Sequence, residues 1–211
     1  MIGSGILESL YMTALATLFG YVLGLPWGVM LSVTGKEGIH PKAAIYRTLD
    51  LVANILRSIP FLILLILVLP LTRLVVGTTI GSTATIVPLT ISAAPMIARM
   101  VEGSLTEVDR GVIEAAQSMG AGLWFIIKHV LLVESRIALI SGVTINFATV
   151  LGYSAMAGVV GGGGLGDIAI RYGYYRYQTD IMIVTVVLLV LLVQVFQWIG
   201  NHLALRFDRR K

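Results

Sequence analysis

IMIVTVVLLVLLVQVFQWIG, residues 181–200, decides which solvent this chain folds in. Fourteen of these residues are Ile, Leu, Val or Phe, and none is charged. On the translocon scale such a set contributes at most about −4 to −8 kcal/mol of insertion free energy. Gln194 and Gln197 do not offset that. The other reading, a helix inside a large soluble core, needs polar cover that the rest of the chain lacks. Charged residues are 12% of the 211, against roughly 25% in a soluble domain, and mean hydropathy is +0.92. The stretch reads as a membrane-spanning helix and the chain as an all-α membrane protein.

Working outward from it, residues 9–35, 74–98 and 137–166 are further uncharged windows bounded by charges, and the last span itself extends over 181–205. Each is long enough for the ~20 residues a crossing needs. A fifth window, residues 51–71, is continuous provided Arg57 near its end snorkels to the interface. Five transmembrane helices are therefore predicted. Pro26, Pro60, Pro70, Pro88 and Pro95 fall inside or at the edges of these windows, so kinks are expected. Proline is common in any membrane helix, but five together favour a bundle around a path, where neighbours or water satisfy the freed backbone groups.

Basic residues set the orientation. With the N-terminus outside, the inner segments hold Lys36, Lys42, Arg47, Arg99, Arg110, Lys128, Arg136, Arg206, Arg209, Arg210 and Lys211, and the outer ones only Arg73, Arg171 and Arg176. That asymmetry predicts N-terminus outside and C-terminus inside. It also accounts for the net charge of +4 without nucleic acid. The opening MIGSGILESL has no basic stretch before its apolar run, so the first span is expected to stay as an anchor rather than be cleaved. Zero cysteines exclude disulfides and thiolate metal sites.

Between the third and fourth spans the pattern breaks at EAAQSMGAGLWFIIKHVLLVE, residues 114–134, which this orientation puts in the cytoplasm. After Asp109, in N-cap position, Val112, Ala115, Ala116 and Met119 share one helical face. Gly120 stands where helices end in a left-handed residue. Beyond it Leu123, Ile126, Ile127, Val130 and Leu131 form one apolar stripe with Lys128 and His129 off it. This is helix, glycine turn, amphipathic helix. Such short helices need something to dock on. Small Ala115 and Ala116 and the Glu114 carboxylate suit a knob for a cytoplasmic partner, while the apolar stripe equally suits a helix pair lying on lipid.

Glu114, Ala115 and Ala116, then Gly120, then VLL at 130–132, resemble the EAA signature of permease subunits of bacterial ABC importers. One position departs from that pattern: Val133 stands where the family has proline, which leaves the end of the second coupling helix open. NILRSIPFLILL at 54–65, TIVPLTISAAPMIARMVE at 85–102, LGYSAMAG at 151–158 and GGGGLGDIAIRYGYYRY at 161–177 are similar to the methionine-type permeases of that family. The resemblance implies a type I permease fold, a single transmembrane domain over 1–211, and a coupling loop over 104–135 in which Glu114, Ala115, Ala116, Gly120, Leu123 and Ile127 meet an ATPase. It further implies a second copy of the chain, two ATP-binding cassette subunits holding ATP and Mg, an extracytoplasmic methionine-binding lipoprotein, and residence in the bacterial cytoplasmic membrane. The implied activity is import of D- or L-methionine by alternating access, the alternative being another amino acid or an organic anion.

The residues independently require an outside energy source. The sole Gly-Lys pair, Gly35–Lys36, is followed by Glu37 and has Met30 where a P-loop needs its first glycine. An ion-coupled secondary transporter would carry ionisable groups at mid-bilayer, and the windows have none there. An intramembrane enzyme would need a clustered acid, base or metal set, but His40, His129 and His202 lie apart without ligand spacing. For the path, Asn146, Tyr153, Ser154 and Met156 are polar or soft groups in the fourth window; they equally suit interhelical hydrogen bonding. Gly162, Gly163, Gly164 and Gly166 permit tight turns at the outer mouth, as a gate, a receptor-docking edge or a plain flexible loop. Tyr172, Tyr174, Tyr175 and Tyr177 read as an interfacial aromatic belt, with contact to the binding protein as a second reading.

Overall fold

The structure is a computed structural model, and it describes residues 1–207; Arg209, Arg210 and Lys211, which entered the orientation count, lie outside the described residues. It is helical throughout, with no strand among the described residues. The long helices are α1 (Ile2–Thr34), α4 (Ser82–Thr106), α8 (Arg136–Ala157) and α10 (Thr179–Phe207). Between the first two come α2 (Ala43–Ser58) and α3 (Phe61–Val76). The interruption forms α5 (Arg110–Ser118), then α6 (Leu123–Ile126), a π-helical turn (Ile127–Leu131) and α7 (Leu132–Glu134). After α8 a 3₁₀ turn (Gly158–Val160) leads to α9 (Gly164–Ile168), which continues as a π-helical turn (Ala169–Tyr174).

Three predicted windows are redrawn by this arrangement. Residues 51–71 are not one rod: α2 and α3 are separate helices whose axes turn through 109°. The cause is local, because proline disfavours helical backbone in the residue before it. Ile59 is extended at φ −81°, ψ 122°, and Pro60 follows at φ −55°, ψ 136°. The two helices together make one broken span, and Arg57 ends up exposed in the last turn of α2. Residues 137–166 also divide, since α8 stops at Ala157 and the glycine run turns the chain into α9. Within 74–98, residues 74–76 belong to α3 and the next span starts only at Ser82. Pro26, Pro70, Pro88 and Pro95 sit inside helices that continue past them.

The core lies between α1 and α4, where Met12, Ala16, Leu89, Ala93, Ile97 and Val101 are buried together. Glycine makes the contact close. A Cβ on Gly24 would lie 2.6 Å from the Ala94 carbonyl oxygen, one on Gly20 2.9 Å from Ile97, and one on Gly28 would fall on the Ala98 carbonyl. Spaced four apart, these three glycines line one side of α1 and let two membrane helices meet backbone to backbone. The same core continues through Leu105 to Leu131, Val130, Ile127, Ile126 and Ala116, so the cytoplasmic hairpin is packed onto the spans. α10, by contrast, packs mainly on α8 and leaves most of its surface outward.

Candidate functional site

The cytoplasmic hairpin is built by capping. The Asp109 carboxylate accepts a hydrogen bond from the Gly111 amide at 2.6 Å, satisfying one of the free donors of the first turn of α5. At the other end Gly120 adopts φ +80°. The Ala121 amide donates to Ala116 at 3.0 Å and the Gly120 amide to Gln117 at 2.9 Å, the paired bonds of a Schellman motif. The chain then reverses. In the second helix Ile126, Ile127, Val130 and Leu131 are buried, and the π-helical turn from Ile127 widens the helix by one residue so that these four face the core while Lys128 and His129 stay exposed. Helical backbone runs on through Val133 to Glu134, and Ser135 alone separates it from α8.

The hairpin sorts the sequence candidates by side. Glu114 and Ala115 are exposed, Gly120 sits at the tip, and Leu123 lies at the edge of the stripe, exposed. Ala116 and Ile127 turn inward, joining α5 to the second helix and to the core. Any close approach by another surface therefore falls to Ala115. Beside it stand Met119, which the sequence placed on the same face, and two groups off the apolar stripe, Trp124 and Phe125; the three are 82%, 80% and 55% exposed. Three large apolar side chains in water at one tip are costly unless something covers them. The signal of Trp124 and Phe125 was in the sequence, as apolar residues off the stripe of an amphipathic helix.

The path candidates lie along α8 with different surroundings. Asn146 is buried, its amide donating to the Gly142 carbonyl at 2.8 Å and to the Tyr21 hydroxyl at 3.4 Å. Tyr153, one face of the same helix, stacks on Phe61 at the start of α3, with ring centroids 4.7 Å apart and 4° between planes. Ser154 is fully buried and donates to the Leu151 carbonyl at 2.7 Å. Met156 is exposed. Asn146 and Tyr153 share a face; Ser154 and Met156 fall to either side of it.

The glycine run is packed rather than loose. The Glu8 carboxylate accepts from the Gly164 amide at 2.8 Å, and the Ser9 hydroxyl accepts from Leu165 at 2.9 Å, so α1 caps the start of α9. The Thr85 hydroxyl donates to the Gly162 carbonyl at 3.1 Å. Gly161, Gly163 and Gly164 all have positive φ, and Gly166 lies so close to α8 that a Cβ would fall on the Ala155 carbonyl. Tyr174, Tyr175 and Tyr177 beyond it are exposed, and Arg176 lies over the Tyr172 ring at 4.7 Å.

Residues 10–209 match the family described as binding-protein-dependent transport system inner membrane component. The chain belongs to this family. Its members are multi-pass components of the inner membrane, and this chain is a permease with the type I ABC importer fold. It is 53% identical to the probable D-methionine transport system permease protein MetI of Vibrio cholerae, over 96% of this chain and 90% of that one. The MetI protein of Pasteurella multocida is 49% identical over 100% and 97% of the two chains. A solved inward-facing structure of the MetNI methionine ABC transporter superposes with a TM-score of 0.97 at 47% identity, covering 99% and 97%.

Proposed function

We propose that this permease imports methionine, as a homodimer carrying two ATP-binding cassette subunits on its cytoplasmic face and receiving substrate from an extracytoplasmic binding lipoprotein. The observation that carries this is the end-to-end similarity to methionine permeases, together with a cytoplasmic hairpin whose tip exposes Glu114, Ala115, Met119, Trp124 and Phe125. Residues 104–135 are the coupling loop of a single domain spanning 1–211. ATP and Mg belong to the ATPase chains. Closure of the ATPase pair moves the hairpins, and because Ala116, Ile127 and Leu131 share one core with Leu105 and Val101, that movement enters α4.

In this mechanism the two copies tilt to open outward and return inward after hydrolysis. Asn146, Tyr153, Ser154 and Met156 line or border the path. Gly162, Gly163, Gly164 and Gly166 form the outer edge that the receptor meets. An apolar thioether asks little of the conduit beyond a dry shape and a few polar contacts.

The test is co-purification of the chain with the products of neighbouring genes, followed by ATPase assay with and without methionine and the binding protein. A co-purifying ATPase stimulated by methionine-loaded binding protein is expected. One that ignores methionine would leave an importer of another small solute, and no co-purifying ATPase would remove the coupling role of 104–135. Glu114→Arg should keep the chain folded while lowering methionine uptake per ATP hydrolysed by tenfold or more; unchanged coupling in that variant would remove Glu114 from the transmission surface.

A further inference from the structure

One side of α2 is polar along most of its length. Arg47, Asp50, Asn54, Arg57 and Ser58 recur at helical spacing as a single stripe, and all but Asp50 are exposed. The middle of the stripe is satisfied, because the Arg99 guanidinium donates to Asp50 and, at 2.8 Å, to Asn54. Its upper end is left open: among the described residues Arg57 has no ion pair.

Two contacts give the depth of Arg57. Arg99 lies seven residues before Thr106, the inner end of α4, so Asp50 and Asn54 are held about 10 Å from that end. Phe61, the first residue of α3, stacks on Tyr153, seventeen residues and about 26 Å along α8 from its inner end at Arg136. α2 therefore climbs between these two levels as the lower part of a broken span, and Arg57, about one turn before Phe61, stands within the hydrocarbon zone.

An exposed guanidinium at that depth can meet acyl chains, a second copy of the chain or water. Acyl chains are disfavoured by the cost of stripping water from a charge. A two-fold contact there would set the arginine against its own copy, like charge on like. A water-filled path accepts it, and the half-buried Tyr153 ring that borders the proposed path lies just beyond it, against Phe61. We infer that Arg57 lines the path and binds the α-carboxylate of the amino acid in transit, while the Tyr153 ring further out meets its thioether chain. This rests on the reading of the chain as a methionine permease. Arg57 then supplies the path with a charged specificity residue instead of snorkelling to the interface.

The chain has no cysteine, so Ser58→Cys puts one thiol beside Arg57 and leaves the arginine in place. In the purified complex without nucleotide, a water-soluble sulfonated maleimide should label this chain tenfold or more faster through Ser58→Cys than through Val190→Cys, which lies on the outward surface of α10. Methionine should slow the labelling, and methioninol, which lacks the carboxylate, should not. Adding Arg57→Gln should raise the methionine concentration for half-protection tenfold or more, and Arg57→Lys should recover most of that loss. Labelling no faster than through Val190→Cys, equal protection by methioninol, or half-protection unchanged by Arg57→Gln would each overturn the inference while methionine uptake by the unaltered complex stands. Absence of that uptake would overturn the methionine reading and this inference together.

Discussion

Gly24 shows how much one missing methyl group holds in place. Its Cα faces a backbone carbonyl on α4, which unlike a side chain cannot rotate away, so a Cβ there forces α1 and α4 apart. Gly24→Ala is expected to cost about 1–3 kcal/mol, the usual range for overpacking a tight contact. It should lower the Tm of the purified complex. Gly3→Ala is the control: it lies on the same helix with nothing within 4 Å, and gains up to about 1 kcal/mol from better helix propensity. Equal Tm values for the two variants would refute the close-packing account. The spacing of Gly20, Gly24 and Gly28 was visible in the sequence, but the partner face was not, because nothing local says which of the other spans approaches. The same distance hid the packing of Gly162–Gly166, whose partners Glu8 and Ser9 stand 156 residues away from the amides they accept from.

Among the elements, the spans were legible because insertion free energy is a local sum, and the hairpin because caps and stripes are local as well. Asp109 and Gly120 took their expected conformations. The break at Pro60 was legible as a break, whereas its 109° turn depends on what α2 docks against. That docking is ionic. The Arg99 guanidinium donates to Glu102 at 2.7 Å as well as to Asp50 and Asn54, spanning two helices with one planar fork. Removing it leaves two carboxylates facing each other without a cation. Arg99→Gln should cost about 1–3 kcal/mol, below the range for fully buried pairs because water still reaches part of the cluster. Arg99→Lys should restore only part of this, since an ammonium cannot make the fork. In a double-mutant cycle with Asp50→Asn, read by thermal unfolding, the combined loss should fall short of the sum of the single losses; additivity would mean that the two groups do not interact.

At the scale of the whole molecule, docking and transmission lie in different residues, and this makes them separable. Trp124 and Phe125 meet solvent at the hairpin tip and touch little of the core, whereas Leu105 and Leu131 are buried where the hairpin joins the spans. Trp124→Ala removes surface that a partner would cover, so it should weaken retention of the ATPase during purification by tenfold or more while leaving the permease's own stability within about 0.5 kcal/mol of wild type, as for surface changes generally. Leu105→Ala opens a cavity instead, at about 2–5 kcal/mol. If the variant remains folded, the ATPase should still bind, because the tip is unchanged, but its motion is partly absorbed where the packing has gone. The expected signature is near-normal ATPase activity with reduced methionine uptake per ATP. Both ratios are read from one reconstituted preparation, and identical profiles for the two variants would mean that the hairpin does not pass its motion to α4 through this core.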